Sequence, residues 1–185
     1  CIPNLVIMAP SDESECRLLL QTAYEYPGPA LVRYPRGCGP GALINGELHT
    51  VPIGKAEIRR YGKGVAFLVF GSLLTTALEV AKTFDATVIN MRFVKPLDRS
   101  LLKDLATSYH LLVTLEENVI AGGAGSAVNE FLAASGLPMH ILNLGLPDHF
   151  IEHASSKEQL AEAGLDASSI ETTVRQALTK IMLTL

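Results

Sequence analysis

The chain has 185 residues, 48% of them hydrophobic, with a net charge of −4 and a pI near 5.7. That length suits one domain, or one domain plus a piece of another, with enough apolar content to build a sizeable core. The acidic balance and the absence of tryptophan argue against a nucleic-acid or anionic-membrane surface. Cys1, Cys16 and Cys38 are an odd set without C-x-x-C spacing. They predict neither a disulfide framework nor a zinc site, and they point to a reducing compartment, the cytoplasm.

In chain order, Leu5-Val6-Ile7-Met8 is an unbroken apolar run, the pattern of a strand buried on both faces. Pro10-Ser11 closes it, and Ser11 is the expected N-cap of a helix reaching residue 25. Asp12, Glu13 and Glu15 lie in its first turn, where carboxylates complement the helix dipole. A strand over 30–34 follows, so residues 1–36 read as a βαβ unit. The chain opens on Cys1 rather than methionine, with a strand almost at once. This predicts the C-terminal part of a longer polypeptide. Residues 37–50, rich in glycine and polar groups, read as an interdomain linker.

Residues 51–185 read as a second domain. Strands are expected over 53–60, 65–70, 87–91, 110–115 and 139–144. Helices are expected from an N-cap at Ser72 to 84, from an N-cap at Asp98 onward, over 124–134, and over 168–183. Ser156 and Gln159 fit a capping box for a short helix ended by Gly164. Strands alternating with helices predict an α/β fold with a mostly parallel sheet flanked by helices.

Several groups are candidates for chemistry. Arg33 and Arg36 follow the strand at 30–34, and open α/β folds bind ligands at the carboxyl ends of strands. A guanidinium there suits a phosphate, through two parallel hydrogen bonds. The alternative is an ordinary surface or interdomain ion pair. Gly122-Gly123-Ala124-Gly125-Ser126 could aim N–H groups at an anion, yet it lacks the spacing of a dinucleotide fingerprint. Close helix–sheet packing is the favoured reading. Glu116 and Glu117 point to opposite faces of an extended strand. They form no carboxylate pair, and one of them could accept N–H bonds from the glycine loop. His149 and His153 have metal-compatible spacing only if helical, and Pro147 places them in a loop or single turn. Ser72, Cys16 and Cys38 carry no nucleophile signature.

Five blocks, in order, resemble the 1-deoxy-D-xylulose-5-phosphate synthase family. They are Met8-Ala9-Pro10-Ser11-Asp12-Glu13; Val32-Arg33-Tyr34-Pro35-Arg36-Gly37; Asn90-Met91-Arg92-Phe93-Val94-Lys95-Pro96-Leu97-Asp98; Thr114-Leu115-Glu116-Glu117-Asn118 with Gly122–Ser126; and Gly145-Leu146-Pro147-Asp148 with Phe150-Ile151-Glu152-His153. The resemblance implies a homodimeric transferase of the transketolase superfamily, dependent on thiamine diphosphate and Mg2+. Such an enzyme condenses pyruvate with glyceraldehyde 3-phosphate and releases carbon dioxide, feeding isoprenoid, thiamine and pyridoxal synthesis. It further implies that residues 1–36 end a pyrimidine-binding domain and that residues 51–185 form a transketolase C-terminal domain.

Arg36 matches the family arginine that binds the aldehyde's phosphate, a role not extended to Arg33. The family's magnesium and diphosphate motif, its catalytic glutamate and its catalytic histidine have no counterpart in this chain. No catalytic, cofactor-binding or metal-binding residue is therefore assigned, and the chain alone is expected to be inactive and to hold no cofactor. Ala154 stands where the family pattern has glycine. Alternative readings are the C-terminal part of a transketolase or of a 2-oxoacid dehydrogenase β subunit, or a non-catalytic dimerisation or ligand-binding module.

Overall fold

The computed structural model describes residues 2–44 and 46–183. Cys1 lies outside the described residues, as does Asn45 of the expected linker. Cys16 and Cys38 are free thiols.

Strand β1 (Val6–Met8), helix α1 (Glu13–Glu25) and strand β2 (Ala30–Val32) form a βαβ unit. The two strands run parallel, with Val6 opposite Ala30 and Met8 opposite Val32. Asp12, rather than the expected Ser11, caps α1: its carboxylate accepts from the Glu15 N–H at 2.8 Å. Ser11 instead donates its own N–H to the Glu15 carboxylate at 2.7 Å. The helix stops at Tyr26, which the following proline holds in extended backbone.

The remaining elements are β3 (Glu57–Arg60), β4 (Val65–Phe70), α2 (Leu74–Phe84), β5 (Thr87–Asn90), β6 (Phe93–Lys95), α3 (Arg99–Ser108), β7 (Leu111–Val119), α4 (Ala124–Ala134), β8 (His140–Leu146), α5 (Ser156–Glu162) and α6 (Ala167–Met182). A five-stranded sheet has the order β3-β5-β4-β7-β8. Strands β5, β4, β7 and β8 are mutually parallel, and β3 adds an antiparallel edge. The mixed α/β fold with a mostly parallel sheet is therefore as expected.

Strand β4 shows why its sequence is apolar throughout. Val65, Phe67 and Val69 pack toward α2 and α6, against Leu74, Ala77, Ile170 and Val174. Ala66, Leu68 and Phe70 pack toward α3 and α4, against Leu102, Leu105, Val128 and Leu132. Each large side chain so buried contributes roughly 1.5–3 kcal/mol.

Two local expectations shift, and a third, the loop after Pro147, holds. Helix α2 begins without a side-chain cap, because the Ser72 hydroxyl donates to the Glu117 carboxylate instead. The capping box sits one residue earlier than predicted, on Ser155 and Glu158. Glu158 reaches back to the Ser155 N–H at 3.0 Å, a bond Gln159 does not make. Residues 147–155 are irregular, so His149 and His153 share no helix face.

The short strand β6 was not predicted. It pairs antiparallel with β1, giving a second sheet of order β2-β1-β6. The segment 37–50, in its described residues, has neither helix nor strand and hydrogen-bonds to α1 at Gly41, Ala42 and Gly46, the Gly46 carbonyl accepting from Arg17 Nη1 at 3.4 Å. The Glu13 carboxylate accepts from the N–H groups of Gly41 (2.8 Å) and Ala42 (3.2 Å). Just beyond it, Val51 donates its N–H to the Thr22 hydroxyl at 2.8 Å.

Candidate functional site

The carboxyl ends of β2, β4 and β7 converge. Arg33 continues β2 by one residue, donating its N–H to the Met8 carbonyl at 2.8 Å. Its side-chain Nη2 donates to the backbone carbonyl of Glu117 on β7. The Glu117 carboxylate accepts from Ser72, which follows β4. Arg36, three residues further along, lines a cleft of about 1050 Å³ together with Ser72, Glu117, His149, His153 and Ser155. Among the described residues, no ion pair or hydrogen bond engages its guanidinium. The two arginines that the sequence offered as equivalent are thus separated: one is bound to the scaffold, the other faces the cleft.

The glycine loop is a packing device. Glu116 points inward, and its two carboxylate oxygens accept from Ala124 N–H (2.7 Å) and Gly125 N–H (2.8 Å). The amino end of α4 is therefore satisfied by a carboxylate of the chain itself. Burial raises the Glu116 pKa, and the two amide bonds offset only part of that rise. A Cβ at residue 125 would lie 2.5 Å from Thr114 Oγ1 and 2.6 Å from Asn143 Nδ2. Gly125→Ala is expected to destabilise the fold by about 1–3 kcal/mol through overpacking, measured by urea denaturation.

A second polar cluster joins the two sheets. Glu15 on α1 is only 6% exposed. It accepts from Asn90 Nδ2 (2.7 and 2.8 Å), from Ser11 N–H, and from Arg92 Nε at 2.6 Å. Arg92 also donates through Nη2 to Glu57 at 2.6 Å. Burial alone would raise the Glu15 pKa, but the bonds from Asn90, Ser11 and Arg92, with the guanidinium charge, hold it below its ordinary value. Arg92 adopts a left-handed backbone, with φ of 58°. Such a conformation in a non-glycine residue costs of order 1–3 kcal/mol, which the two ion pairs offset. Sequence reading noted Asn90 and Arg92 only within a block of resemblance. Their partner stands 75 residues or more away, and no local periodicity marks it.

Residues 54–170 match the transketolase C-terminal domain. The chain belongs to this family. It is 57% identical over 181 residues to the 1-deoxy-D-xylulose-5-phosphate synthase of Thioalkalivibrio sulfidiphilus, covering 98% of this chain and 28% of that protein. Against the enzyme of the same name from Stutzerimonas stutzeri it is 59% identical over 178 residues, 96% of this chain and 28% of the relative. The chain thus spans little more than a quarter of the length of the curated relatives it matches and corresponds to their C-terminal part. Among solved structures, a split-gene transketolase described as an inactive β4 tetramer superposes with a TM-score of 0.80 at 30% identity, over 96% of this chain and 58% of that one. The transketolase of Campylobacter jejuni gives 0.68 at 16% identity, over 94% of this chain and 26% of that one, a likeness of fold. The family's α/β architecture is the one described above.

Among the described residues no three His, Cys, Asp or Glu side chains cluster as metal ligands, and the N–H donors at the amino end of α4 are taken by Glu116. Among the same residues no helix is long and apolar enough to cross a membrane.

Proposed function

We propose that this chain is the C-terminal part of a thiamine diphosphate- and Mg2+-dependent transferase. The full polypeptide would condense pyruvate with glyceraldehyde 3-phosphate to 1-deoxy-D-xylulose 5-phosphate and carbon dioxide, as a homodimer in the cytoplasm. In this reading residues 1–36 close a pyrimidine-binding domain, residues 37–50 link it, and residues 51–185 form the C-terminal domain. Arg36 binds the phosphate of the aldehyde. The cofactor, metal and acid–base groups belong to the preceding part of the polypeptide, so the chain alone is inactive.

The observation that carries the reading is the unengaged guanidinium of Arg36 at the cleft, beside an Arg33 already committed to the scaffold. A planar donor fork at a strand's carboxyl end matches a phosphate monoester. The relatives are named for a phosphorylated product, 1-deoxy-D-xylulose 5-phosphate, which supports a phosphate-bearing substrate at this position. The test is Arg36→Ala in the full-length polypeptide, assayed against each substrate in turn. A defect confined to the phosphorylated aldehyde supports the assignment, and an unchanged KM for that substrate overturns it.

The location of the cofactor site has its own test. Isothermal titration of this chain with thiamine diphosphate and Mg2+ is expected to give no heat of binding. Micromolar affinity would place the cofactor site within residues 1–185 and refute the division of labour proposed here.

A further inference from the structure

We infer that Arg33 is a positioning residue: it clamps the end of β2 to β7 and thereby sets where Arg36 stands in the cleft. This rests on the reading of Arg36 as the phosphate-binding group.

The chemistry of the contact supports the role. Among the described residues Arg33 pairs with no carboxylate and donates instead to a main-chain carbonyl, that of Glu117. That carbonyl is positioned by the strand itself and does not depend on a side-chain rotamer. It lies just past the last β4–β7 pair, Phe70 with Glu116. It also lies within the register break between β7 and β8 that separates Leu115 from Val119. Here the ladder is interrupted, and a carbonyl is free to take an outside donor. The Glu116 carboxylate, although buried against the glycine loop, feels the Arg33 charge as well, so the guanidinium sits in a favourable field.

The neighbouring groups complete the arrangement. Ser72, at the end of β4, holds the Glu117 carboxylate, which steadies the residue that supplies the carbonyl. Only Tyr34 and Pro35 separate Arg33 from Arg36, and proline removes one backbone freedom from that short span. Two strand ends from different sheets are therefore pinned within three residues of the Arg36 guanidinium. Misplacement of a binding group by as little as 1 Å can cost up to about a hundredfold, so a clamp this close governs substrate affinity without touching substrate.

The test uses the full-length polypeptide. Arg33→Met keeps the length and apolar stem of the side chain but removes the donors. It is expected to raise KM for glyceraldehyde 3-phosphate about tenfold, with KM for pyruvate within about twofold, the same misplacement leaving the donor half of the site alone. Arg33→Lys retains one donor to the carbonyl and should recover part of the loss. Inhibition by inorganic phosphate, competitive with the aldehyde, reports the same site without turnover and should weaken in parallel in Arg33→Met.

Three results would overturn the proposal: an unchanged aldehyde KM in Arg33→Met while Arg36→Ala raises it, equal losses for both substrates, or no recovery in Arg33→Lys. If Arg36→Ala itself leaves the aldehyde KM unchanged, the phosphate assignment fails instead, which separates the two failures. Should Arg33→Met not fold, Arg33→Lys decides alone. A shift in aldehyde KM and phosphate inhibition with an unaltered thermal midpoint supports the clamp, and no shift removes it.

Discussion

Replacing Arg36 with alanine should raise KM for glyceraldehyde 3-phosphate by about 10–100-fold, the equivalent of losing about 1.5–3 kcal/mol of charge-assisted hydrogen bonding. The size follows from the donor's state before binding. A guanidinium already paired with a carboxylate would have to break that pair, and the net gain on binding phosphate would shrink. Arg36 has no such partner among the described residues, so removing it removes nearly the full contact. KM for pyruvate should stay within about twofold, since a carboxylate donor handled elsewhere in the site does not use this fork. Arg36→Lys should recover only part of the loss, because an ammonium is a point charge without the bidentate geometry. The check is a steady-state assay with each substrate varied at saturating levels of the other. Parallel loss for pyruvate would show that the residue supports the fold rather than the aldehyde.

The largest effect on stability is expected at Arg92. Arg92→Leu would leave the Glu15 carboxylate buried, and Glu57 beside it, without the cation that joins them. Removing one member of a buried pair typically costs about 3–5 kcal/mol. Glu15 keeps its bonds to Asn90 and Ser11, so the loss should lie near the lower figure. At about 2–4 °C per kcal/mol for a chain of this size, the midpoint should fall by roughly 6–12 °C.

The sign of the pH dependence gives a sharper check. The Glu15 pKa in the folded parent is held below its ordinary value near 4.5. Its ionised form therefore stabilises the fold above that pH, and the contribution is lost as pH falls through the depressed value. Without Arg92 the same carboxylate is buried with less compensation and rises in pKa. The deficit of the variant should be full at neutral pH and should narrow below pH 4.5. A deficit independent of pH would mean that lost packing of the arginine stem, not charge, carries the effect. Adding Glu15→Gln to Arg92→Leu should restore part of the stability, since the stranded charge is gone.

Much of the fold could be read from residue patterns, and the physical reasons differ from element to element. Strand β4 was legible because burial on both faces leaves an unbroken apolar run. Helix α4 was legible at both ends because glycines precede it and a serine–glycine pair follows it. Strand β6 was not. It has three residues, Phe93–Lys95, too few for any alternation to show, and it exists because β1 offers a free edge. Ser72 looked like a helix cap, the commonest use of serine before an apolar run. Tertiary structure diverts it to Glu117, a partner 45 residues on that no local rule could supply. The same limit applies at the site. The strand-end placement of the two arginines was readable in sequence, whereas what distinguishes them is a carbonyl on another sheet. Glu116 is the intermediate case: alternation along the strand puts it on the face opposite Glu117, and the nearby glycines suggest amide partners for one of the two, whereas only the packing of α4 selects Glu116.

The chain between the two sheets has the composition of a flexible tether, yet the sheets are also joined by β6 lying against β1 and by Arg92 reaching Glu15. These cross-connections, made by the segment just after β5, take away the hinge that a glycine-rich stretch would permit. A ligand that touches both the end of β2 and the end of β7 consequently meets a receptor whose two halves are already in register. The ordering entropy is met when the polypeptide folds, and little of it remains to be subtracted from affinity when the ligand arrives.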